Sequence, residues 1–202
     1  MNYLLDLTRL SNHYFVMRHG HSLANQQGII VSHPENGVSG FGLSKRGESQ
    51  VSTAISPDSL LNTNTMIISS DFKRARESAE VIYKILNCET AIRSDVRLRE
   101  RNFGSLELSD DDNYARVWNK DESNPDNQLL GVESPNQVMR RVSALIAEYE
   151  TDFSGKTLLL VSHGDALQIL QTAFQKQDAS RHRSQQHLET AEIRPLKLSS
   201  QH

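Results

Sequence analysis

Two histidines, each followed by glycine, stand at the ends of apolar runs in this sequence. The first pair, His19-Gly20, closes the run Tyr14-Phe-Val-Met-Arg, and the second, His163-Gly164, closes the run Thr157-Leu-Leu-Leu-Val-Ser. Apolar runs of this length are typical of buried strands in a parallel sheet. Ligands of open α/β sheets bind beyond the carboxyl ends of such strands. We therefore expect His19 and His163 to face one pocket.

An arginine, Arg18, directly precedes the first histidine. A guanidinium presents paired N–H donors that match phosphate oxygens, and a neutral imidazole nitrogen can attack phosphorus. This combination of Arg18, His19 and His163 predicts a site for a phosphoryl group. Since the formal net charge of the chain is −3, such a site must be locally basic.

Composition limits the classes of protein that fit. With 202 residues and 37% hydrophobic content, we expect residues 1–202 to form a single domain. The net charge is negative and only 6% of the residues are aromatic. Nucleic-acid binding is therefore the least favoured function, and the chain has no overall charge that would attract it to an anionic membrane. The single cysteine, Cys88, excludes an intrachain disulfide and a cysteine-based zinc cluster. Together with Asp6, which is unlike the basic start of a signal peptide, this predicts a cytoplasmic location.

Strands and helices alternate in the pattern of apolar residues, which predicts an α/β fold, a three-layer α/β/α sandwich with a mostly parallel central sheet. Besides the two strands that end at the histidine-glycine pairs, we expect strands at 66–70, within 89–99 and, as an edge strand, at 191–198. Helices are expected from Ser44, over 72–86 with Asp71 as the capping residue, over 135–149 and over 165–175.

Four segments are expected to be loops or arms. Residues 1–12 should form an N-terminal arm or a short helix, and 21–44 a long loop. The acidic stretch 109–136 is interpreted as a loop or helical lid. Residues 176–187 are highly polar, and the basic residues near this end are expected to be solvated; they are Arg181, His182, Arg183 and His187.

Four blocks, in order, give this chain a resemblance to a known family from about residue 14 to residue 175. The blocks are Arg18-His-Gly-His-Ser-Leu-Ala-Asn25, Ser69-Ser-Asp-Phe-Lys-Arg-Ala-Arg-Glu-Ser-Ala-Glu80, Leu98-Arg-Glu-Arg-Asn-Phe-Gly-Ser-Leu-Glu107 and Val161-Ser-His-Gly164. They resemble the histidine phosphatase superfamily, the phosphoglycerate mutase-like proteins. The resemblance implies a histidine phosphatase-like domain that uses a phosphohistidine intermediate and needs no metal or other cofactor.

The resemblance also implies a role for each matching residue. His19 would be the nucleophile, and Glu100 would protonate the leaving oxygen and then activate water. Arg18, Arg74 and His163 would surround the phosphoryl oxygens, with Ser22, Asn25 and Gly164 as further phosphate contacts. Burial would have to raise the pKa of Glu100 for it to act as an acid near neutral pH.

Structural alternatives stay open for several of these residues. Arg74 could be a solvated helix residue like its neighbours Lys73 and Arg76. Glu107 competes with Glu100 as the proton donor. Asn25 could simply be a turn residue.

His21 departs from the small polar residue common in the family, and it could contact substrate or lie in solvent. A metal site formed by His19, His21 and His163 is disfavoured, because Arg18 and Arg74 would repel a cation.

The predicted function is that of a metal-independent phosphomonoester phosphatase acting on a small phosphorylated metabolite and releasing inorganic phosphate. Only 63 positions separate Glu100 from His163, whereas mutases of the family typically carry an insertion there. Mutase-type phosphoryl transfer is the alternative within the family, and a non-catalytic anion-binding module of the same fold is the alternative outside catalysis. No nucleic-acid or membrane partner is expected, and a homodimer through an edge strand would suit such a sheet.

Overall fold

The structure, a computed structural model, describes residues 1–56 and 59–199. A five-stranded sheet lies at its centre, with the strand order β3-β2-β4-β1-β5. The first four strands are parallel, and β5 pairs antiparallel with β1 at the edge. The strands are β1 (His13–Arg18), β2 (Met66–Ser69), β3 (Arg93–Ser94), β4 (Thr157–Ser162) and β5 (Ile193–Leu196).

Helices cover both faces of the sheet, which confirms the predicted sandwich. They are α1 (Leu23–Gln27), α2 (Pro34–Gly37), α3 (Lys45–Ser52), α4 (Lys73–Leu86), α5 (Tyr114–Asp121), α6 (Pro135–Asp152) and α7 (Gly164–Phe174). Short 3-10 helices span Val96–Leu98, Gly104–Leu106, Asp111–Asn113, Leu129–Gly131 and Ala179–Ser184. Within 1–56 and 59–199, no helix has the length and apolar character that crossing a membrane requires.

Alternating side chains of the central strands supply two separate cores. Leu158 and Leu160 of β4 pack with α6 and α7 on one face. Leu159 and Val161 pack with α3 and α4 on the other. This burial on both faces explains why β4 is apolar throughout rather than alternating.

Of the two helix caps that the sequence predicts, Ser44 is confirmed and Asp71 is not. Ser44 accepts a hydrogen bond from the backbone of α3, and Ser134 forms a capping box at the start of α6. The prediction that Asp71 caps α4 is wrong: Phe72 holds the N-cap position without a side-chain hydrogen bond. The Asp71 carboxylate instead accepts two hydrogen bonds from Arg99, at 2.8 and 2.5 Å.

One of the segments predicted as loops contains more structure than expected. The stretch 21–44, predicted as a loop, holds α1 and α2, and the stretch 109–136, predicted as a loop or helical lid, holds α5. The N-terminal twelve residues form a packed arm without a helix, in which Leu4 is buried and Asn2 donates to the carbonyl of Ala173 at 2.9 Å.

Gly47 lies in the first turn of α3 and is buried. An added Cβ at this position would collide with the backbone carbonyl of His21. The glycine therefore lets α3 approach the loop that follows β1, close to the two histidines.

Candidate active site

Two neighbouring parallel strands carry the two histidines to one point. Arg18 and Ser162 are register partners at the ends of β1 and β4, so His19 and His163 follow side by side. Their ring centroids lie 5.1 Å apart, and both side chains are buried. The structure thus brings together the histidines that the sequence predicted to share a pocket.

His19 is held in one orientation by hydrogen bonds to both ring nitrogens. Nδ1 lies 2.8 Å from the carbonyl oxygen of Gly20, which can only accept, so this nitrogen carries the proton. Nε2 therefore has the free electron pair, and it accepts from Nε of Arg74 at 3.0 Å. Burial, followed by the charges of Arg74 and Arg18, places the pKa of His19 well below its ordinary value. A neutral imidazole whose lone pair lies on Nε2 is the form that a nucleophile needs.

Arg74 is buried, unlike its exposed neighbour Arg76. Besides the bond to His19, it donates through Nη2 to the carbonyl of Val31 at 2.9 Å. The solvated-helix interpretation of Arg74 does not fit this placement. Arg18 is half-buried and comes from the end of β1.

Ser70, which follows β2, fixes the second histidine. Its hydroxyl lies 2.9 Å from Nε2 of His163 and accepts from the backbone N–H of Phe72 at 3.3 Å. The Phe72 ring stands edge-on to His163, with centroids 5.1 Å apart. Burial and the charge of Arg74 place the pKa of His163 well below its ordinary value. The ring is therefore neutral and held at a fixed angle.

Several buried nitrogens at this point have no hydrogen-bond partner among the described residues. They include Nε of Arg18, Nη1 of Arg74 and Nδ1 of His163. Unsatisfied buried polar groups are costly and rare. Arginine donors and an imidazole gathered in a small space, with no carboxylate bonded to them, suit an anion with several oxygens.

Glu100 lies at the N-terminus of α7. Its Oε1 accepts from the backbone N–H groups of Arg101 and Ala166, at 2.8 and 3.2 Å. Burial and the negative charge of Asp165 raise its pKa, and these effects outweigh the two hydrogen bonds and the charge of Arg74. A carboxyl group that keeps its proton to a higher pH than usual is suited to general acid catalysis.

Glu107 has a different environment from Glu100. Its carboxylate binds the loop before α2, accepting from the backbone and hydroxyl of Ser32, the backbone of His33 and the side chain of Asn36. All four contacts are within the protein. The geometry favours Glu100 over Glu107 as the acid.

Ser22 and Asn25 bind each other at the start of α1. The Ser22 hydroxyl donates to Oδ1 of Asn25 at 2.9 Å and accepts from the Asn25 backbone at 3.2 Å. Ser22 is fully buried in this capping box, whereas Asn25 is half-buried. Their contact with phosphate stays a prediction.

His21 does not join the other two histidines. Its Nδ1 lies 2.8 Å from the hydroxyl of Ser44, at the start of α3. Within the described part of the chain, the side chains close enough to share a cation are instead Asp110, Asp111 and Asp112. These carboxylates are solvent-accessible and lie outside the pocket.

The basic residues near 181–187 are placed differently from the prediction. His182 is fully buried and lies 3.1 Å from Oδ2 of Asp121. His187 lies 2.6 Å from Nη1 of Arg18. The prediction of a solvated tail is therefore wrong for these two histidines. The sequence does not show these placements, because both depend on other elements: on β1, with which β5 pairs antiparallel, and on Asp121.

Tyr114, the first residue of α5, was also missed as a neighbour of the site. Burial, and the negative charge of Glu100, raise its pKa. Its ring stacks on Trp118, with centroids 5.1 Å apart, and Trp118 donates to Asp165 at 2.9 Å.

The sequence profile of the histidine phosphatase superfamily (branch 1) matches residues 14–202. This chain belongs to that superfamily. Among its relatives, a "probable phosphoglycerate mutase" of Salmonella paratyphi A is 34% identical over 161 residues, which cover 77% of this chain and 71% of the relative. The corresponding protein of Escherichia coli O1:K1 / APEC is 33% identical over the same shares.

Solved structures of low sequence identity have the same fold. The mycobacterial glucosyl-3-phosphoglycerate phosphatase in complex with VO3 superposes with a TM-score of 0.75 at 21% identity, covering 91% of this chain and 90% of that one. Bacillus stearothermophilus YhfR gives a TM-score of 0.71 at 21% identity, covering 91% and 90%. These two proteins therefore share the arrangement of sheet and helices described above.

Proposed function

We propose that this member of the superfamily is a metal-independent phosphatase of small phosphomonoesters. The observation that carries the proposal is the pairing of a neutral His19, whose Nε2 holds a free electron pair, with a carboxyl group of raised pKa, Glu100. His19 supplies a nucleophile, and Glu100 supplies a proton donor that keeps its proton to a higher pH than an ordinary glutamate. The proposal makes His19, Glu100, His163, Arg18 and Arg74 the catalytic residues.

In the first step, Nε2 of His19 attacks phosphorus while the phosphorus–oxygen ester bond breaks. Glu100 gives its proton to the leaving oxygen, so an alcohol departs and a phosphohistidine remains. Donors from Arg18, Arg74 and His163 hold the three equatorial oxygens, where charge must be stabilised during transfer. In this scheme Gly164 leaves room for the phosphoryl group beside Arg18.

In the second step, ionised Glu100 takes a proton from water, and the resulting oxygen attacks phosphorus. The nitrogen–phosphorus bond breaks, which restores neutral His19 and releases inorganic phosphate. Water must therefore reach Glu100. A cleft of about 610 Å³, open to solvent, is lined by Glu100 together with Ser32, Arg99, Asn102 and Arg141, and it gives water this access.

The same cleft favours a polar substrate without a second anionic group. Its two arginines are both neutralised by neighbours: Arg99 pairs with Asp71, and Arg141 with Glu133 at 2.7 Å. A phosphorylated alcohol or sugar fits this lining better than a phosphorylated carboxylate.

Phosphoglycerate mutase activity is the second candidate, because relatives with 33–34% identity carry that name. A mutase must keep water from its phosphohistidine and return the phosphoryl group to the same molecule. The open cleft beside Glu100 argues against this.

The test is phosphate release from p-nitrophenyl phosphate and a panel of sugar and glycerol phosphates at pH 5–8 in EDTA. Isomerisation of 3-phosphoglycerate is followed in parallel. Release that survives EDTA is expected. Isomerisation without release would establish the mutase, and no reaction in either assay would favour an anion-binding module.

A further inference from the structure

Residues 185–191, here called the strap, pass the end of β1 just before β5. Side chains outside the strap fix its backbone: Gln168 donates to the carbonyl of Gln185 at 2.7 Å, and Arg194 donates to the carbonyl of His187 at 3.1 Å. Leu188 is buried in the core. The strap is therefore anchored on both sides of His187, whose ring is held beside the site.

The contact between His187 and Arg18 has a defined direction. Nε2 of His187 lies 2.6 Å from Nη1 of Arg18, and a guanidinium can only donate. The imidazole therefore accepts through Nε2 and carries its proton on Nδ1. The same Nη1 also donates to the carbonyl of Leu188, at 3.0 Å. Nη1 of Arg18 is therefore hydrogen-bonded to two residues of the strap.

The rest of that guanidinium faces Gly164. A Cβ added at Gly164 would lie 3.7 Å from both Cζ and Nε of Arg18, and 3.4 Å from Cε1 of His187. Nε of Arg18 is buried and has no partner among the described residues, and the same holds for Nδ1 of His187. With Nη1 bound to the strap, the unpaired Nε of Arg18 lies near the start of α7, where the phosphoryl group is proposed to lie.

We propose that His187 is a positioning residue for Arg18, and that neutral His187 holds the guanidinium in the orientation that binds phosphate. This inference rests on the phosphoryl site of the proposed function. If Nε2 takes up a proton, it becomes a donor facing a donor, and both groups are then cations. Arg18 is then released, so phosphate affinity falls in acid.

The charges around His187 come from four elements. Arg18 at the end of β1 and Arg183 of the 3-10 helix Ala179–Ser184 oppose its protonation, as does burial, which is the largest effect. Asp165 of α7 and Glu189 of the strap favour it. Together these effects lower the pKa of His187. The ring is therefore neutral at pH 7, and its hydrogen bond with Arg18 weakens only at more acidic pH.

The experiment compares His187→Ala and His187→Gln, each alone and combined with Arg18→Lys, in the full-length chain. Gln186→Ala is the matched control, because that side chain lies on the same strap and is exposed. The readouts are kcat/KM for p-nitrophenyl phosphate and calorimetric binding of inorganic phosphate. Calorimetry needs no turnover, so it still tests His187 if the chain proves not to be a phosphatase. Circular dichroism and melting temperature establish that each variant folds.

His187→Ala is expected to weaken phosphate binding and kcat/KM about tenfold, the loss that follows removal of one hydrogen bond to a charged group. His187→Gln, which retains an acceptor, should recover most of this loss. In the Arg18→Lys background the alanine substitution should have little further effect. The wild-type to His187→Gln ratio of kcat/KM should fall as pH falls, because only the wild type has a ring at position 187 that can take up a proton. The titrations of His19 and of the substrate are common to both proteins and cancel in the ratio.

Either of two results would overturn the inference. One is His187→Ala binding phosphate as well as Gln186→Ala does. The other is an equal loss in both Arg18 backgrounds, which would show that His187 acts independently of Arg18. If His187→Ala does not fold, the pH dependence of the His187→Gln ratio decides, and a ratio that stays flat down to the most acidic pH at which both proteins remain folded counts against the proposal.

Discussion

At the scale of single residues, the proposed chemistry depends on which nitrogen of His19 is protonated. The Gly20 carbonyl holds the proton on Nδ1, and Arg74 donates to Nε2 at 3.0 Å. The electron pair of the nucleophile is therefore engaged by the same arginine that is proposed to bind phosphate. When a phosphoryl group enters, Arg74 can exchange this bond for phosphate oxygens and free Nε2 for attack.

His19→Ala should reduce phosphate release by a thousandfold or more, since removal of a nucleophile typically costs at least about that much. The wild-type protein, quenched in alkali after brief exposure to labelled substrate, should carry a phosphohistidine that is stable to base and lost in acid. The variant should carry none. Label retained by His19→Ala would place the nucleophile elsewhere, and His21→Ala serves as the control histidine.

Glu100 predicts a pH dependence whose sign follows from its raised pKa. The first step needs the protonated form, so kcat/KM should fall as pH rises through this raised pKa. Neutral His19, whose pKa is lowered, should not limit the rate until a more acidic pH.

Glu100→Gln should slow hydrolysis of alkyl phosphates far more than that of p-nitrophenyl phosphate, whose leaving group needs no proton. Glu107→Gln should lower the melting temperature and leave this leaving-group dependence unchanged.

At the scale of elements, a buried ion pair joins the loop that carries Glu100 to α5. Both side chains, Arg101 and Asp121, are fully buried, and Nη1 of Arg101 lies 2.6 Å from Oδ2 of Asp121. The Asp121 carboxylate also contacts Asn127 and His182. Burial opposes ionisation of Asp121, yet the bonds from His182 and Arg101 prevail and lower its pKa to about 2. The pair fixes the loop that carries Glu100 relative to α5.

Asp121→Asn should destabilise the fold by about 3–5 kcal/mol in urea unfolding, because it removes the nearer carboxylate of buried Arg101 and leaves only Asp165, at 3.4 Å. With the folded pKa depressed, the stabilisation is complete above the ordinary aspartate value and is lost as pH falls toward 2. Glu122→Gln is the control. In its ion pair with Arg181, the Glu122 side chain is 79% exposed and the Arg181 side chain 62%, so the pair should contribute less than about 1 kcal/mol to the free energy of unfolding. Equal effects of the two substitutions would contradict this account.

The elements differ in how far the sequence could predict them. Apolar β4 and the α6 helix, with its Ser134 cap, follow from local patterns, and so does the convergence of His19 and His163 at one sheet edge. Asp71 could not be placed, because its partner Arg99 is distant in sequence. The buried histidines of the polar stretch 176–187 depend in the same way on partners from other elements.

At the scale of the whole molecule, cationic donors from separate elements converge in a chain whose net charge is −3. Arg18 comes from β1 and Arg74 from α4, and His163 follows β4. Arg18 and Arg74 repel each other at this point, and burial lowers the pKa of Arg74. An anion that binds all of them should therefore stabilise the fold as a unit.

Inorganic phosphate should raise the melting temperature in EDTA, with chloride at matched ionic strength as the reference. At a concentration ten times its Kd, linkage gives about 1.4 kcal/mol of added stability, which corresponds to about 3–6 °C for a domain of this size. Arg74→Ala should abolish the shift, whereas Arg76→Ala, on the exposed side of the same helix, should retain it. A shift of equal size in Arg74→Ala would mean that phosphate binds away from the histidine pair, because no site built on Arg74 could survive that substitution unchanged.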